Sequence, residues 1–198
     1  SKTGVLLAGY AKDPITSGKC LDAMLRDNYF GRTGGEVLCL GAGGSTTAII
    51  LHLVGKKEPG DRPRRIVVVN RSPVRIEHLR RMIGELSTDI RFEFHCHADP
   101  ALNDALMAGL APCSLVINAT GMGKDLPGSP ITNQGGFPPN GIAWELNYRG
   151  ELDFLHQALA QQQARSLMVE DGWLYFLYGW TEVIAEVLKV EIDGAVFK

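Results

Sequence analysis

Residues Glu36 to Thr46 read EVLCLGAGGST. After its first residue the run to Leu40 is apolar, and it stops on Gly41-Ala42-Gly43-Gly44. Ser45 to Val54 then carries apolar residues at helical spacing, so the stretch is a buried strand turning directly into a helix. That placement suits a bound pyrophosphate. The first glycine permits the tight turn, the second lets the backbone approach the phosphates, and the helix N-terminus offers unpaired N–H groups and a positive dipole end. Thr46 occupies the third position of the pattern, where Gly or Ala usually packs helix on strand. Many strand–helix turns need glycine without binding anything, so the motif alone leaves both readings open.

The next strand narrows the choice. Arg65 to Val69 (RIVVV) is almost purely β-branched, as a strand covered on both faces of a parallel sheet should be. It ends in Asn70-Arg71-Ser72, with Arg75 one helical turn on. Domains selective for NAD usually place Asp or Glu here to accept from the ribose 2′-hydroxyl. A carboxylate would repel a 2′-phosphate, whereas a guanidinium pairs with it. Asn70, Arg71, Ser72 and Arg75 therefore favour NADP, the alternative being a solvated helix start. The lack of an acid also argues against an S-adenosylmethionine methyltransferase. Arg64 and Arg65, at the other end of the strand, read as exposed.

Outward from these two strands the alternation continues in both directions. Before them lie a short apolar run, Gly4 to Gly9, a helix from Pro14 to Asn28 and a turn-rich break from Gly31 to Gly35. After them come a helix (Pro73–Leu86), a weak strand (Arg91–His95), a short helix (Pro100–Gly109) and a clear strand (Ser114–Asn118). A glycine-rich loop from Thr120 to Asn140 leads to a strand (Ile142–Leu146), a helix (Glu151–Gln163), a strand (Ser166–Val169) and a closing helix (Trp173–Leu188). The fold class is α/β: a doubly wound, Rossmann-type parallel sheet in three α/β/α layers. The closing helix carries more apolar surface than one face usually buries. A core helix is the first expectation, with a missing domain or a second copy of the chain, a homodimer, as alternatives.

Composition excludes several classes. The chain has 198 residues, 45% of them hydrophobic and 21% charged, enough for one globular domain. A net charge of −2 gives no global field to attract nucleic acid or an anionic membrane. No apolar run approaches the roughly 20 residues of a membrane span. The four cysteines (Cys20, Cys39, Cys96, Cys113) are widely spaced, without C-x-x-C or zinc spacing. Cys39 and Cys113 sit in runs that read as buried strands. No metal is expected, and a cytoplasmic location is the default.

Taken in order, the motifs resemble the shikimate dehydrogenase family over about residues 5–188. Leu40-Gly41-Ala42-Gly43-Gly44 and Asn70-Arg71-Ser72 resemble its G-A-G-G and N-R-T signatures. Asn118-Ala119-Thr120-Gly121-Met122-Gly123 resembles its N-A-T loop, slightly shortened. Glu145-Leu146-Asn147-Tyr148 followed by Phe154-Leu155 and Ala158 resembles its D-x-x-Y segment, and Asp171-Gly172 its closing D-G element. The resemblance implies an NADP-dependent dehydrogenase acting on a small cyclic hydroxy or keto acid. Gly41, Ala42, Gly43, Gly44 and Ser45 would hold the phosphates, and Asn118, Ala119, Thr120, Gly121 and Met122 would lie near the nicotinamide. Gly172 would let backbone approach that ring, and Tyr148 would reach the substrate side.

The resemblance also implies a catalytic Lys–Asp pair. Asp13 occupies the aspartate's place, although it is equally suited to cap the helix beginning at Pro14. The lysine would come from an N-terminal substrate domain missing from this chain. Residues 1–30 would then be a lead-in strand and hinge helix, and 31–198 the Rossmann domain. Gly179 stands where the family has a glutamine, and Glu145 where it has aspartate. Substrate-side positions differ while cofactor-side positions are kept, which points to a substrate other than shikimate. A nucleotide-binding or sensing module without catalysis, and a Rossmann-like domain without nucleotide, remain as alternatives.

Overall fold

The computed structural model describes residues 12–192. The Gly4–Gly9 run lies outside the described residues. Six parallel strands form one sheet in the order β3-β2-β1-β4-β5-β6: β1 (Val37–Leu40), β2 (Arg65–Asn70), β3 (Arg91–Cys96), β4 (Leu115–Asn118), β5 (Ile142–Glu145) and β6 (Met168–Glu170). The chain winds outward from β1 to β3, then crosses back to lay β4 against the other side of β1. Strand order reverses between β1 and β4, and ligands of open α/β sheets bind at such a switch point.

Both faces of the sheet are covered, as the unbroken apolar strands require. The period-2 alternation of a strand sends Val37 and Cys39 to one core and Leu38 and Leu40 to the other. The first core holds α1 (Asp13–Met24), α3 (Gly44–Val54) and α4 (Pro73–Gly84), with Leu21, Ile49, Leu53 and Leu79 fully buried. The second holds α5 (Pro100–Ala108) and α6 (Asp153–Arg165), with Met107 and Phe154 packed against Phe137 of the long glycine-rich loop. The three-layer Rossmann-type arrangement expected from the sequence is the one observed.

Several elements differ from expectation. The break at Gly31 to Gly35 contains a short helix, α2 (Tyr29–Thr33), because left-handed Asn28 and Gly34 (φ 57° and 67°) turn the chain on either side of it. Cys39 is buried, but Cys113 lies just before β4 at φ 63° and is half-buried. Burial pushes the thiols of Cys20 and Cys39 up to about 12, which suits packing rather than reactivity. Arg65 is not a free surface cation: Glu36 and Glu93 hold it at 3.1 and 2.9 Å. The closing helix, α7 (Trp173–Leu188), is not a core helix. Tyr175 and Tyr178 lean on the first core, while Trp173, Trp180 and Val187 are exposed.

A candidate nucleotide site at the switch point

The turn after β1 is shaped by close approach of backbones. Gly41 has φ 118°, and a Cβ there would lie 2.6 Å from the Ala119 carbonyl oxygen. Its N–H donates to Val69 (2.8 Å), and its own carbonyl accepts from the buried Thr46 hydroxyl (2.9 Å). Thr46 thus uses its hydroxyl to tie helix to turn where a glycine or alanine would only pack. Gly43 is different. Its φ of −98° suits any residue, and among the described residues a Cβ there would meet nothing within 4 Å. No described neighbour explains this glycine, and it lines a cleft. Gly43 is the N-cap of α3 and no side chain caps that helix, so its first N–H groups face the turn uncovered.

Two clefts meet here. One, of about 630 Å³, is lined by Gly41 to Gly43, by Asn70 to Ser72 and by Arg75. The other, of about 620 Å³, is lined by Asp13, Ser45, Tyr148, Tyr175 and Gly179. Ala119, Thr120, Gly121 and Asp125 line both, so the loop after β4 stands between them.

At the end of β2, Asn70 accepts from the Ser72 N–H (2.8 Å) and Ser72 caps α4 by accepting from the Arg75 N–H (3.4 Å). These side chains fix the turn, leaving Arg71 and Arg75 exposed at the cleft with no carboxylate partner among the described residues. Unpaired guanidiniums at a helix N-terminus oppose its dipole.

The loop after β4 is held by a buried polar network that the sequence reading missed. Asn118 and Glu145 are fully buried at the ends of adjacent strands, and Asn118 Nδ2 donates to Glu145 Oε2 at 2.7 Å. Asn118 Oδ1 accepts from the Thr120 hydroxyl (2.6 Å) and N–H (3.1 Å). Glu145 Oε1 accepts from Asn147 N and Nδ2 (2.8 and 2.7 Å), and Asn147 Nδ2 also reaches the carbonyls of Thr120 and Met122, each at 3.1 Å. Burial raises the Glu145 carboxyl to about 7 against the pull of these donors. The signal in the sequence was an acid closing an otherwise apolar strand, IAWE.

On the second cleft, Asp13 opens α1 but does not cap it. Lys12 is the N-cap, without a side-chain bond. The Asp13 carboxylate has no hydrogen-bond or ion-pair partner among the described residues, and Gly44 at the start of α3 lies beside it. Tyr175 donates to Ser45 (3.2 Å). Burial raises the Tyr175 hydroxyl, the Ser45 contact offsets part of this, and the charge of Asp13 adds to it. Tyr148 stacks on Phe176 with ring centres 4.2 Å apart. Of the residues singled out in the sequence, Gly44, Asn118 and Gly172 line neither cleft. A Cβ on Gly172 would lie 2.6 Å from the Asn147 carbonyl oxygen, a reason internal to the protein for glycine there.

Strand order, glycine turn and cleft together define a Rossmann-type α/β domain, the class of fold that binds dinucleotides at this place. Its particular likeness is to the shikimate dehydrogenases, in sequence over part of the chain and in fold over nearly all of it. The shikimate dehydrogenase (NADP(+)) of Symbiobacterium thermophilum is 34% identical over 118 residues, which are 59% of this chain and 37% of that protein. Among solved structures, shikimate 5-dehydrogenase from Listeria monocytogenes, in complex with shikimate and NAD, matches 93% of this chain and 60% of its own, with TM-score 0.66 and 18% identity. The 5-ketofructose reductase of Gluconobacter matches 95% of this chain and 61% of its own, with TM-score 0.65 and 21% identity. The chain therefore spans less than two thirds of each. No family model matches.

Proposed function

We propose that this chain is the NADP-binding part of a shikimate-dehydrogenase-like oxidoreductase. The observation that carries the reading is that Gly43, whose missing side chain leaves open space, shares a cleft with Arg71 and Arg75, which have no carboxylate partner among the described residues. A dinucleotide fits these features in order. Gly41 to Gly43 and the uncapped N-terminus of α3 would receive the pyrophosphate. Arg71 and Arg75 would hold a 2′-phosphate, and Asn70 puts no carboxylate at the end of β2 to repel it. Ala119 to Met122, fixed by Glu145 and Asn147, would place backbone at the nicotinamide side, next to the second cleft.

When bound, NADP supplies reversible hydride transfer at nicotinamide C4. The chain's own part on the second cleft would be proton exchange at the substrate oxygen through Asp13, whose carboxylate is free to face it. Lys12 is engaged by Glu186 and Lys124 by Asp125, so neither described lysine on this cleft pairs with Asp13. The lysine of the pair would come from a substrate domain, and this chain alone would bind cofactor without turnover. The substrate would be a small cyclic hydroxy or keto acid other than shikimate. Gly179 supports this, since among the described residues a Cβ there would meet only Thr16 Cγ2 at 4.0 Å, leaving the wall wider than a long side chain would. The same glycine is the support for the second reading, a nucleotide-binding module without catalysis.

Calorimetric titration of the chain with NADP and NAD, repeated on Arg71→Ala, tests the assignment. We expect NADP to bind tighter than NAD by about tenfold to a hundredfold, and Arg71→Ala to remove most of that preference. Equal affinity for both cofactors would overturn the choice of NADP, and no binding of either would overturn the nucleotide reading.

A further inference from the structure

Asn103 is an amide on the buried face of α5, 6% exposed and one helical turn from Met107. Its Nδ2 donates to the Pro130 carbonyl oxygen at 2.7 Å. A carbonyl can only accept, so this contact fixes which end of the amide is which. Oδ1 is left as the end without a donor. It is buried and has no partner among the described residues, an arrangement that costs stability in the free protein. Asn103 and Pro130 line the same cleft as Gly41 to Gly43 and Arg71. His97 lines it too, and its buried Nδ1 is also without a partner among the described residues. Pro100 and Leu126 line the same cleft and add apolar surface to it.

A partly apolar cleft wall that carries an acceptor of fixed orientation suits a flat, largely apolar ring with a donor on its edge. On the dinucleotide reading, on which this step rests, the base lies beyond the ribose whose 2′-phosphate meets Arg71 and Arg75. We infer that Asn103 is a specificity-determining residue for that base, its Oδ1 accepting a hydrogen bond from a 6-amino group. Adenine supplies such a donor. A 6-oxo purine presents an acceptor at the same position, so Oδ1 would stay unpaired and face a second acceptor. Sites that bury an unpaired polar group discriminate in this way more sharply than apolar pockets do. The side chain pins its own donor end on Pro130, so it cannot turn over to suit a 6-oxo base without losing that bond.

The test is calorimetric titration with NADP and with its hypoxanthine counterpart, on the wild-type chain and on Asn103→Ala. We expect the wild type to prefer the 6-amino form by about tenfold or more, and the variant to bind both forms within about twofold of each other. Thermal unfolding of the variant checks that it folds. Should it not, adenosine 2′-monophosphate against inosine 2′-monophosphate on the wild type asks the same question without a substitution, with the same tenfold preference expected. Equal wild-type affinity for amino and oxo forms would overturn the role of Asn103 while leaving the nucleotide reading standing. A preference that persists in a folded Asn103→Ala would do the same. Failure of every nucleotide to bind would overturn both.

Discussion

Glu145 shows how a single residue can stabilise a site's shape and charge the protein for it. Its carboxyl has a usual value near 4.5 and stands at about 7 when buried, with donors from Asn118 and Asn147 opposing the effect of burial. Below about 4.5 it is protonated in folded and unfolded chains alike. Between 4.5 and about 7 the folded chain holds a proton the unfolded chain has lost, so stability falls as pH rises through that window. Above it both forms are ionised and the penalty is constant. The gap between 4.5 and about 7 is worth about 3 kcal/mol. Denaturant unfolding of wild type and Glu145→Gln from pH 4 to pH 8 isolates this group, because other carboxylates are common to both. The variant should gain on the wild type by about 3 kcal/mol across the window. Parallel pH profiles would mean that Glu145 is solvated in the folded protein.

At the scale of elements, α7 stands apart from the rest of the fold. Trp180 is 55% exposed and meets Phe176 edge to face, whereas Trp144 in β5 is 1% exposed between β4 and β6. Trp180→Ala should therefore cost less than about 1 kcal/mol and Trp144→Ala about 3–5 kcal/mol. Urea unfolding of the two variants checks the contrast, and equal losses would place α7 in the core after all. The contrast also marks where sequence reading reaches its limit. Ile66 to Val69 and Leu115 to Ile117 could be read as strands because burial on both faces leaves nothing but apolar residues. The same apolarity in Trp173 to Leu188 suggested a core helix, since periodicity reports that a helix has an apolar face and not what covers it. Arg71 and Arg75 were readable because they follow a strand end where chemistry restricts the choice. The Glu145–Asn118–Asn147 network was not, because its members come from two strand ends brought together only by the β4–β5 pairing. Asn103 was hidden for the same reason, its partner Pro130 lying 27 residues away.

For the molecule as a whole, two cores fasten six strands so that the reversal between β1 and β4 leaves a cleft at their carboxyl ends. A ligand bound there stabilises the folded state by mass action. On the proposed function, NADP at a hundred times its Kd would add about 2.7 kcal/mol, which for a chain of this size would raise Tm by about 5–10 °C. Gly43 separates that binding from the integrity of the fold, because its φ of −98° and the open space beside it accept a methyl group without strain. The measurement to make is thermal unfolding of wild type and Gly43→Ala, each with and without NADP. We predict that without cofactor the variant melts no lower than wild type, and that the cofactor-induced rise seen in wild type is lost in the variant. An equal rise in both proteins would contradict the account, since the turn after β1 would then hold no phosphate.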